Sequence, residues 1–210
     1  MSRPKVFLSV LCGAERTSWI NPLLFDALMT LQTDPRFALT NAMAYGIDRV
    51  ETTRNRAMQH ARDECADFLI MADNDMVLPP NFGDILENVI TSGKAIVGFA
   101  YARVLSRDWN VEMLETCGGG SRDGNFLRVG AIGSGVLILS AEVWRVIPKG
   151  PWFCWQYEDD ETLSRKLSED YSFCELAISS GLSVWEHSST AGHLKTCDAT
   201  KQAMRQGERS

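Results

Sequence analysis

The first half of the chain alternates short apolar runs with amphipathic stretches, and this alternation restricts the fold more than any other feature. Residues 5–12 and 67–72 have the composition of buried strands, and residues 22–32 and 52–66 have the periodicity of helices. Repeated strand–helix–strand units form a parallel sheet that is covered by helices. The sequence therefore predicts an α/β fold with a mostly parallel central sheet.

The remaining elements follow from the same patterns. Further strands are predicted at 36–45, 94–100, 135–140 and 182–185, and further helices at 80–92, 141–147 and 170–180. The helix at 52–66 is expected to have a threonine N-cap and to place Ala57, Ala61 and Cys65 on one face. Between 111 and 129, a triple glycine and an Asp-Gly turn predict a small antiparallel element. Residues 1–194 are interpreted as one domain, and 195–210 as a polar tail.

Charge and composition exclude several classes of protein. The chain has 210 residues and a formal net charge of -6, which argues against duplex nucleic acid and anionic membrane surfaces as main partners. No apolar run approaches the roughly 20 residues that span a bilayer, and the apolar start reads as a strand rather than a signal peptide. The six cysteines include no Cys-x-x-Cys pair, so free thiols in a reducing, cytoplasmic compartment are expected.

Two carboxylates follow the predicted strand at 67–72. In open parallel sheets, ligands bind beyond the carboxyl ends of the strands. Asp73 and Asp75 stand at such an end, where a pair of carboxylates can hold a divalent cation that neutralises the phosphates of a nucleotide. The alternative interpretation is an ordinary Asp/Asn turn after a strand.

Three other groups can contribute to the same site. Glu169 and Asp170 stand where a helix begins, and Ser172-x-x-Glu175 fits a capping box that would leave Asp170 just outside this helix. His193 follows a glycine in a polar stretch predicted to be a loop, where an imidazole can complete a metal site. Arg54 and Arg56 open a helix whose N-terminus attracts anions. Taken singly, each group is also explained by helix-end electrostatics or by solvation.

In this order, these pieces resemble the GT-A fold glycosyltransferases, especially their family 2-like group. Asp73-Asn74-Asp75 resembles the Asp-x-Asp metal motif, and Gly133-Ser134-Gly135 resembles the glycine loop near the donor sugar. Glu169-Asp170 resembles the acidic motif whose aspartate is the catalytic base in inverting members. His193 resembles the C-terminal histidine that binds the metal. The resemblance covers residues 53–193 and implies a minimal, single-domain form of the GT-A fold.

The resemblance also implies an activity. It is the metal-dependent transfer of a sugar from a nucleotide-diphosphate sugar, with UDP favoured, to a hydroxyl acceptor, with a glycan as the expected class. Asp73, Asp75 and His193 are expected to hold Mn²⁺ or Mg²⁺, and the imidazole favours Mn²⁺. Asp170, with Glu169 beside it, is expected to act as general base, which implies inversion of the sugar.

Donor and acceptor contacts are expected around these motifs. The donor side is expected to include Arg54, Arg56, Tyr101 and Arg103 together with the glycine loop. Residues 152–160 are aromatic and then acidic, which is typical either of an acceptor wall or of core aromatics beside a solvated loop. The Asp-Gly-Ser-x-Asp stretch that is common after the second strand of family 2 members is missing, so the contacts to the base are left open.

Three alternatives remain open at this stage. Asp73 also fits the nucleophile position of haloacid-dehalogenase-like phosphatases, although their motif normally ends the first strand of the fold. A nucleotidyltransferase would need a glycine-rich loop near the N-terminus, and residues 8–17 contain none. The third alternative is a domain that binds a sugar nucleotide without turnover.

Overall fold

A computed structural model of the protein describes residues 2–12, 20–45, 49–104, 111–113, 120–159 and 164–193. At 41–45, 102–104, 111–113, 158–159, 164–166 and 193 it describes the backbone alone. The tail at 195–210 lies outside the described residues, as do the side chains of Arg103 and His193.

The bounds of the elements agree with most of the predicted ones. Helices within the described residues are α1 (Pro22–Gln32), α2 (Val50–Asp63), α3 (Phe82–Ser92), α4 (Glu142–Val146) and α5 (Glu169–Ser179). Strands in the first half are β1 (Lys5–Cys12), β2 (Ala38–Tyr45), β3 (Phe68–Asp73), β4 (Met76–Val77), β5 (Ile96–Val104) and β6 (Val111–Met113). Those in the second half are β7 (Arg122–Asp123), β8 (Phe126–Val129), β9 (Val136–Ser140), β10 (Gln156–Asp159), β11 (Ser164–Leu167) and β12 (Val184–His193).

One large sheet organises the described part of the chain. Its strand order is β2-β1-β3-β9-β5-β12-β8-β7, with β4 paired to β12 and β6 paired to β5. The strands β2, β1, β3, β5 and β12 run in one direction, and β9 lies antiparallel between β3 and β5. The strands β10 and β11 form a separate antiparallel pair. This α/β arrangement, with a mostly parallel sheet and a small antiparallel part, is the fold class that the resemblance implied.

The two faces of the sheet carry different helices. Side chains alternate across a strand, so Leu69 and Met71 of β3 join one apolar cluster while Ile70 and Ala72 join the other. The first cluster includes residues of α2, α4 and α5, and the second includes residues of α1 and α3. Asp73 continues the series of Leu69 and Met71, so its side chain emerges on the face of α2 and α5.

The predicted bounds of α2 and β12 are wrong, and the direction of β9 had been left open. The helix α2 begins at Val50 after an Arg49 N-cap without a side-chain cap bond, and Cys65 lies beyond its end and is exposed. The strand β9 is central and antiparallel to its neighbours. Its direction was not predicted, because a buried apolar run does not reveal the direction of a strand. The strand β12 continues to His193, because pairing with β5 and β4 extends it through a polar sequence. Among the described residues, every helix is too short or too polar to cross a bilayer.

Candidate active site

The Asp-x-Asp segment is a turn between two strands. Asp73 is the last residue of β3, and its N–H donates to the Gly135 carbonyl at 2.9 Å. Asn74 donates its N–H to the Leu11 carbonyl at 3.0 Å, so the turn is tied to β1 as well. Asn74 and Asp75 are both buried. The backbone that presents the carboxylates is therefore held by the neighbouring strands.

Asn21 clamps this turn from the other side. It is fully buried, and its N–H donates to the Asn74 carbonyl at 2.9 Å while its side-chain amide donates to the Met76 carbonyl at 3.0 Å. Its side-chain oxygen accepts the N–H of Leu23 and so caps α1. One asparagine thus fixes both the start of α1 and the Asp-x-Asp turn. Nothing in the sequence pattern singled it out.

A cleft opens beside the turn, at the carboxyl ends of β1 and β3. Its volume is about 200 Å³. The residues that line it come from these two strand ends and from the first turn of α2: Leu11, Cys12, Val50, Thr53, Asp73, Asn74 and Asp75. Burial, together with the charge of Asp73, raises the pKa of the Cys12 thiol. The cleft lies where ligands bind in open α/β sheets.

Arg54 joins the strand end to the start of α5. Its Nη1 donates to Glu169 Oε1 at 2.7 Å, and its Nη2 lies 3.0 and 3.2 Å from the two carboxylate oxygens of Asp73. The same Nη2 is 3.4 Å from the Ser134 carbonyl. Burial opposes the charge on Arg54, but the surrounding carboxylates outweigh this effect and raise the pKa of the guanidinium. Arg54 stays charged.

The glycine loop packs against Tyr101. A Cβ on Gly133 would lie 2.6 Å from the Tyr101 hydroxyl, and one on Gly135 would lie 3.0 Å from both the Tyr101 ring and the Met76 sulfur. Glycine is required at both positions because the phenol occupies the space. Burial, with the charges of Asp73 and Asp170, raises the pKa of Tyr101 to about 12. Tyr101, which packs on the loop, is therefore close enough to Asp73 and Asp170 for their charges to affect its pKa.

Asp170 lies in the first turn of α5. The helix begins at Glu169, and Ser172 is buried within it, so the predicted capping box does not form the N-terminus. One oxygen of the Asp170 carboxylate accepts hydrogen bonds from the Ser168 hydroxyl and from the Tyr171 N–H. Glu169 is buried, and burial raises its pKa against the opposing charge of Arg54. The two neighbouring acids therefore differ in surroundings, because Asp170 is only half-buried.

His193 is in a strand rather than in the predicted loop. In the pairing of β12 with β4, His193 stands opposite Met76 and Gly192 stands opposite Val77. Its backbone is therefore next to the residue that follows Asp75. The side chain of His193 lies outside the described residues, and so does that of Arg103. Arg56 is exposed and, two residues from Arg54, lies on the other side of α2.

The aromatic segment before α5 is mainly core. Trp152 is buried, and its indole donates to the Ile147 carbonyl at 2.8 Å. Asn55 accepts the N–H groups of Trp152 and Phe153 at 2.7 and 3.1 Å and donates to the Phe153 carbonyl at 2.7 Å. Sequence reasoning missed this clamp. Trp155 is half-buried, and its indole contacts Glu51 at 3.3 Å, while Asp160 lies outside the described residues.

The Asp-x-Asp turn carries side chains of the kind that bind a divalent ion. Within the described part of the chain, no group of three or more His, Cys, Asp or Glu side chains is placed to hold a metal ion. Asp73 and Asp75 offer carboxylate oxygens on one turn, which suit Mn²⁺ or Mg²⁺. The backbone of His193 adjoins that turn. Asp73 and Asp75 therefore fit as two ligands of a divalent ion. The side chain of His193, the expected third ligand, lies outside the described residues.

No protein-family model and no curated protein sequence matches the chain. Among solved structures, A197 from STIV gives a TM-score of 0.56 at 16% identity, covering 93% of this chain and 87% of A197. GalNAc-T7 with UDP, GalNAc and Mn²⁺ gives 0.48 at 9% identity, covering 93% of this chain and 44% of that one. CMP:2-keto-3-deoxy-manno-octonic acid synthetase complexed with CTP gives 0.48 at 12% identity, covering 99% of each chain. Of these three, only the similarity to A197 is strong enough to carry an inference, and at its low identity it shows the fold alone.

Proposed function

We propose that this chain is a metal-dependent glycosyltransferase of the family 2-like group, which moves a sugar from a nucleotide-diphosphate sugar to a hydroxyl acceptor. The observation that carries the proposal is the meeting of two acidic motifs around Arg54. Asp73 arrives from β3 and Glu169 from α5, at the edge of the sheet where the parallel strands end. The cleft of about 200 Å³ opens at this same edge.

The charge of the site supports a bound cation. Asp73, Asp75, Glu169 and Asp170 are four acidic side chains, and Arg54 is the basic side chain that the structure pairs with two of them. A nucleotide diphosphate would add further negative charge to this region. When bound by Asp73, Asp75 and His193, Mn²⁺ or Mg²⁺ supplies positive charge beside the leaving diphosphate. UDP is the favoured nucleotide in this proposal.

Asp170 is the proposed general base. Its carboxylate lies in the first turn of α5, next to the buried Glu169. The hydrogen bonds from Ser168 and Tyr171 to one carboxylate oxygen orient the group. In the proposed reaction, Asp170 takes the proton of the acceptor hydroxyl as that oxygen attacks the anomeric carbon. As the new bond forms, the bond from the anomeric carbon to the phosphate oxygen breaks and the nucleotide diphosphate leaves. This direct displacement inverts the anomeric configuration.

The phosphatase alternative is less compatible with the contacts of Asp73. β3 is the third strand in chain order, and both oxygens of the Asp73 carboxylate lie within hydrogen-bonding distance of Arg54. A carboxylate whose negative charge is shared with a guanidinium through both of its oxygens is a weaker nucleophile than a free one. Hydrolysis of an aryl phosphate that is lost in Asp73→Asn would favour the phosphatase over our proposal.

A panel of sugar nucleotides with Mn²⁺ tests the proposal, with thermal shift and slow donor hydrolysis as readouts. We expect one donor class to raise the Tm, because a ligand at about a hundredfold excess over its Kd stabilises a fold by about 2.7 kcal/mol. The rise should need the metal, because the cation offsets the negative charge of the diphosphate beside the carboxylates. Asp75→Ala and His193→Ala should abolish this metal-dependent shift. Asp26→Asn removes an exposed carboxylate from α1 and serves as the matched control.

Three results would contradict parts of the proposal. Metal-dependent nucleotide binding that survives in both Asp75→Ala and His193→Ala would refute the metal assignment. A product that retains the anomeric configuration of the donor would refute the role of Asp170. Nucleotide binding without turnover on any acceptor, unchanged in Asp170→Asn, would identify a binding domain instead of an enzyme.

A further inference from the structure

Arg54 contacts three parts of the candidate site. Through its two terminal nitrogens it contacts Glu169 in α5, Asp73 at the end of β3 and the Ser134 carbonyl in the glycine loop. These partners are 115, 19 and 80 residues away in the chain. A planar guanidinium fixes the directions of its hydrogen bonds, so the positions of its partners are fixed relative to one another.

Arg54 is enclosed, and it has no open path to a ligand in the cleft. Its side chain is 3% exposed, and it is not among the residues that line the cleft. The guanidinium lies 6.0 Å from the ring centre of Phe153, which stacks on Phe173 at 4.4 Å. A contact between Arg54 and a donor phosphate would require breaking a buried ion pair and leaving its carboxylates unpaired, which is strongly unfavourable. The predicted direct contact between Arg54 and the donor therefore does not suit this geometry.

The carboxylates on the two sides of Arg54 differ in exposure. The side chain of Asp73 is 30% exposed and lines the cleft, whereas that of Glu169 is 8% exposed. Asp73 can therefore contact a ligand while it is held by Arg54. The carboxylate of Glu169 contacts Arg54 on the buried side, and it is adjacent in sequence to Asp170. The pair of Arg54 and Glu169 thus ties the start of α5 to the end of β3.

We propose that Arg54 and Glu169 are positioning residues, and that Glu169 acts on the site only through Arg54, by fixing the Asp73 carboxylate for the metal. The inference rests on the proposed function, because it takes Asp73 to be a metal ligand. It changes the expected role of Glu169 from an acid at the reaction centre to a group that orients another side chain. Side chains that orient metal ligands typically contribute roughly 10–100-fold to metal affinity or activity.

Binding of Mn²⁺ in the presence of UDP, measured by electron paramagnetic resonance of the free ion, tests this role without using activity. We expect Glu169→Gln and Arg54→Lys each to weaken Mn²⁺ binding by roughly 10-fold or more. The double variant should be no weaker than the weaker single variant, because both changes remove the same restraint on Asp73. Glu175→Gln, an exposed change on the same helix, should bind Mn²⁺ as the wild type does.

The outcomes separate the two proposals. Wild-type Mn²⁺ affinity in both single variants, or losses that multiply in the double variant, would overturn the positioning role and leave the proposed function standing. A fall in kcat for Glu169→Gln with unchanged Mn²⁺ affinity would restore Glu169 as a catalytic residue. A wild-type chain that binds no Mn²⁺ with any nucleotide would overturn both proposals. Thermal melting identifies a misfolded Arg54→Lys, in which case the nearly isosteric Glu169→Gln decides alone.

Discussion

Asn55 lies outside the candidate site, but it fixes the position of a segment that packs against the site. It follows Arg54 in α2, and it makes three hydrogen bonds with the backbone of Trp152 and Phe153. Phe153 in turn lies beneath the Arg54 guanidinium. Asn55 therefore fixes the segment against which the central arginine packs, and the same helix turn supplies both contacts.

Replacing Asn55 by alanine should destabilise the fold by about 1–3 kcal/mol, because two backbone N–H groups and one carbonyl lose a part-buried partner. Urea unfolding followed by circular dichroism measures the free energy. Asn88→Ala, at an exposed position of α3, should cost less than about 0.5 kcal/mol. Equal losses in the two variants would show that the clamp is not a stabilising contact.

Neither the burial of Arg54 nor the partner of Asn55 was predicted from the sequence, which gave Arg54 as a contact to the donor. Arg54, Ala57 and Ala61 repeat at helical spacing, and they all lie on the buried side of α2. That spacing is compatible with burial of Arg54, but its ion pairs with Asp73 and Glu169 form only because the fold brings β3 and α5 to α2. The bond from Asn55 to residues nearly a hundred positions away depends on tertiary contacts that no local pattern encodes.

At the scale of elements, the glycine loop and β5 interlock through a single hydroxyl group. An alanine Cβ at Gly133 would stand 2.6 Å from the Tyr101 oxygen, and the next nearest atom is a ring carbon at 3.3 Å. Removing that oxygen therefore relieves most of the overlap. Gly93 is a useful comparison, because a Cβ there would meet nothing within 4 Å and only its positive φ of 67° opposes a side chain.

We expect Gly133→Ala to cost about 1–3 kcal/mol in the wild-type chain and distinctly less in a Tyr101→Phe background. Gly93→Ala should cost the same in both backgrounds, because it shares no contact with Tyr101 and distant changes add. Chemical denaturation of the four variants and their two parents measures the coupling. An unchanged cost of Gly133→Ala after loss of the hydroxyl would refute the interlock.

The elements differ in how well local sequence predicted them. The bounds of α1 were predicted because an apolar period at helical spacing begins at Pro22 and ends at Gln32. The second half of β12 was missed because residues 186–193 are mostly polar or small, and their strand conformation comes from pairing with β5 and β4. This long-range pairing also brings the backbone of His193 beside the turn that carries Asp75. The position of His193 in the site therefore depends on strand pairing, which local periodicity does not predict.

At the scale of the whole molecule, the site is attached to the best-buried part of the sheet. β3 and β9 lie side by side between the two apolar clusters, and their apolar side chains other than Phe68 are almost completely buried. β7 is at an edge, and both of its residues are exposed. Such differences in burial separate segments that open only on global unfolding from segments that open locally.

We expect the backbone amides of β3 and β9 to exchange hydrogen only through global unfolding, whereas those of β7 exchange through low-energy local opening. Native-state hydrogen exchange at increasing urea, resolved by NMR, measures the opening free energy of each amide. The decisive amide is that of Asp73, which donates to the Gly135 carbonyl at 2.9 Å. If it shares the opening free energy of β3, the proposed metal ligand is held in place before any ligand binds. If it exchanges as readily as β7, the turn opens independently of the sheet, and the fixed position that we assign to the Asp73 carboxylate is wrong.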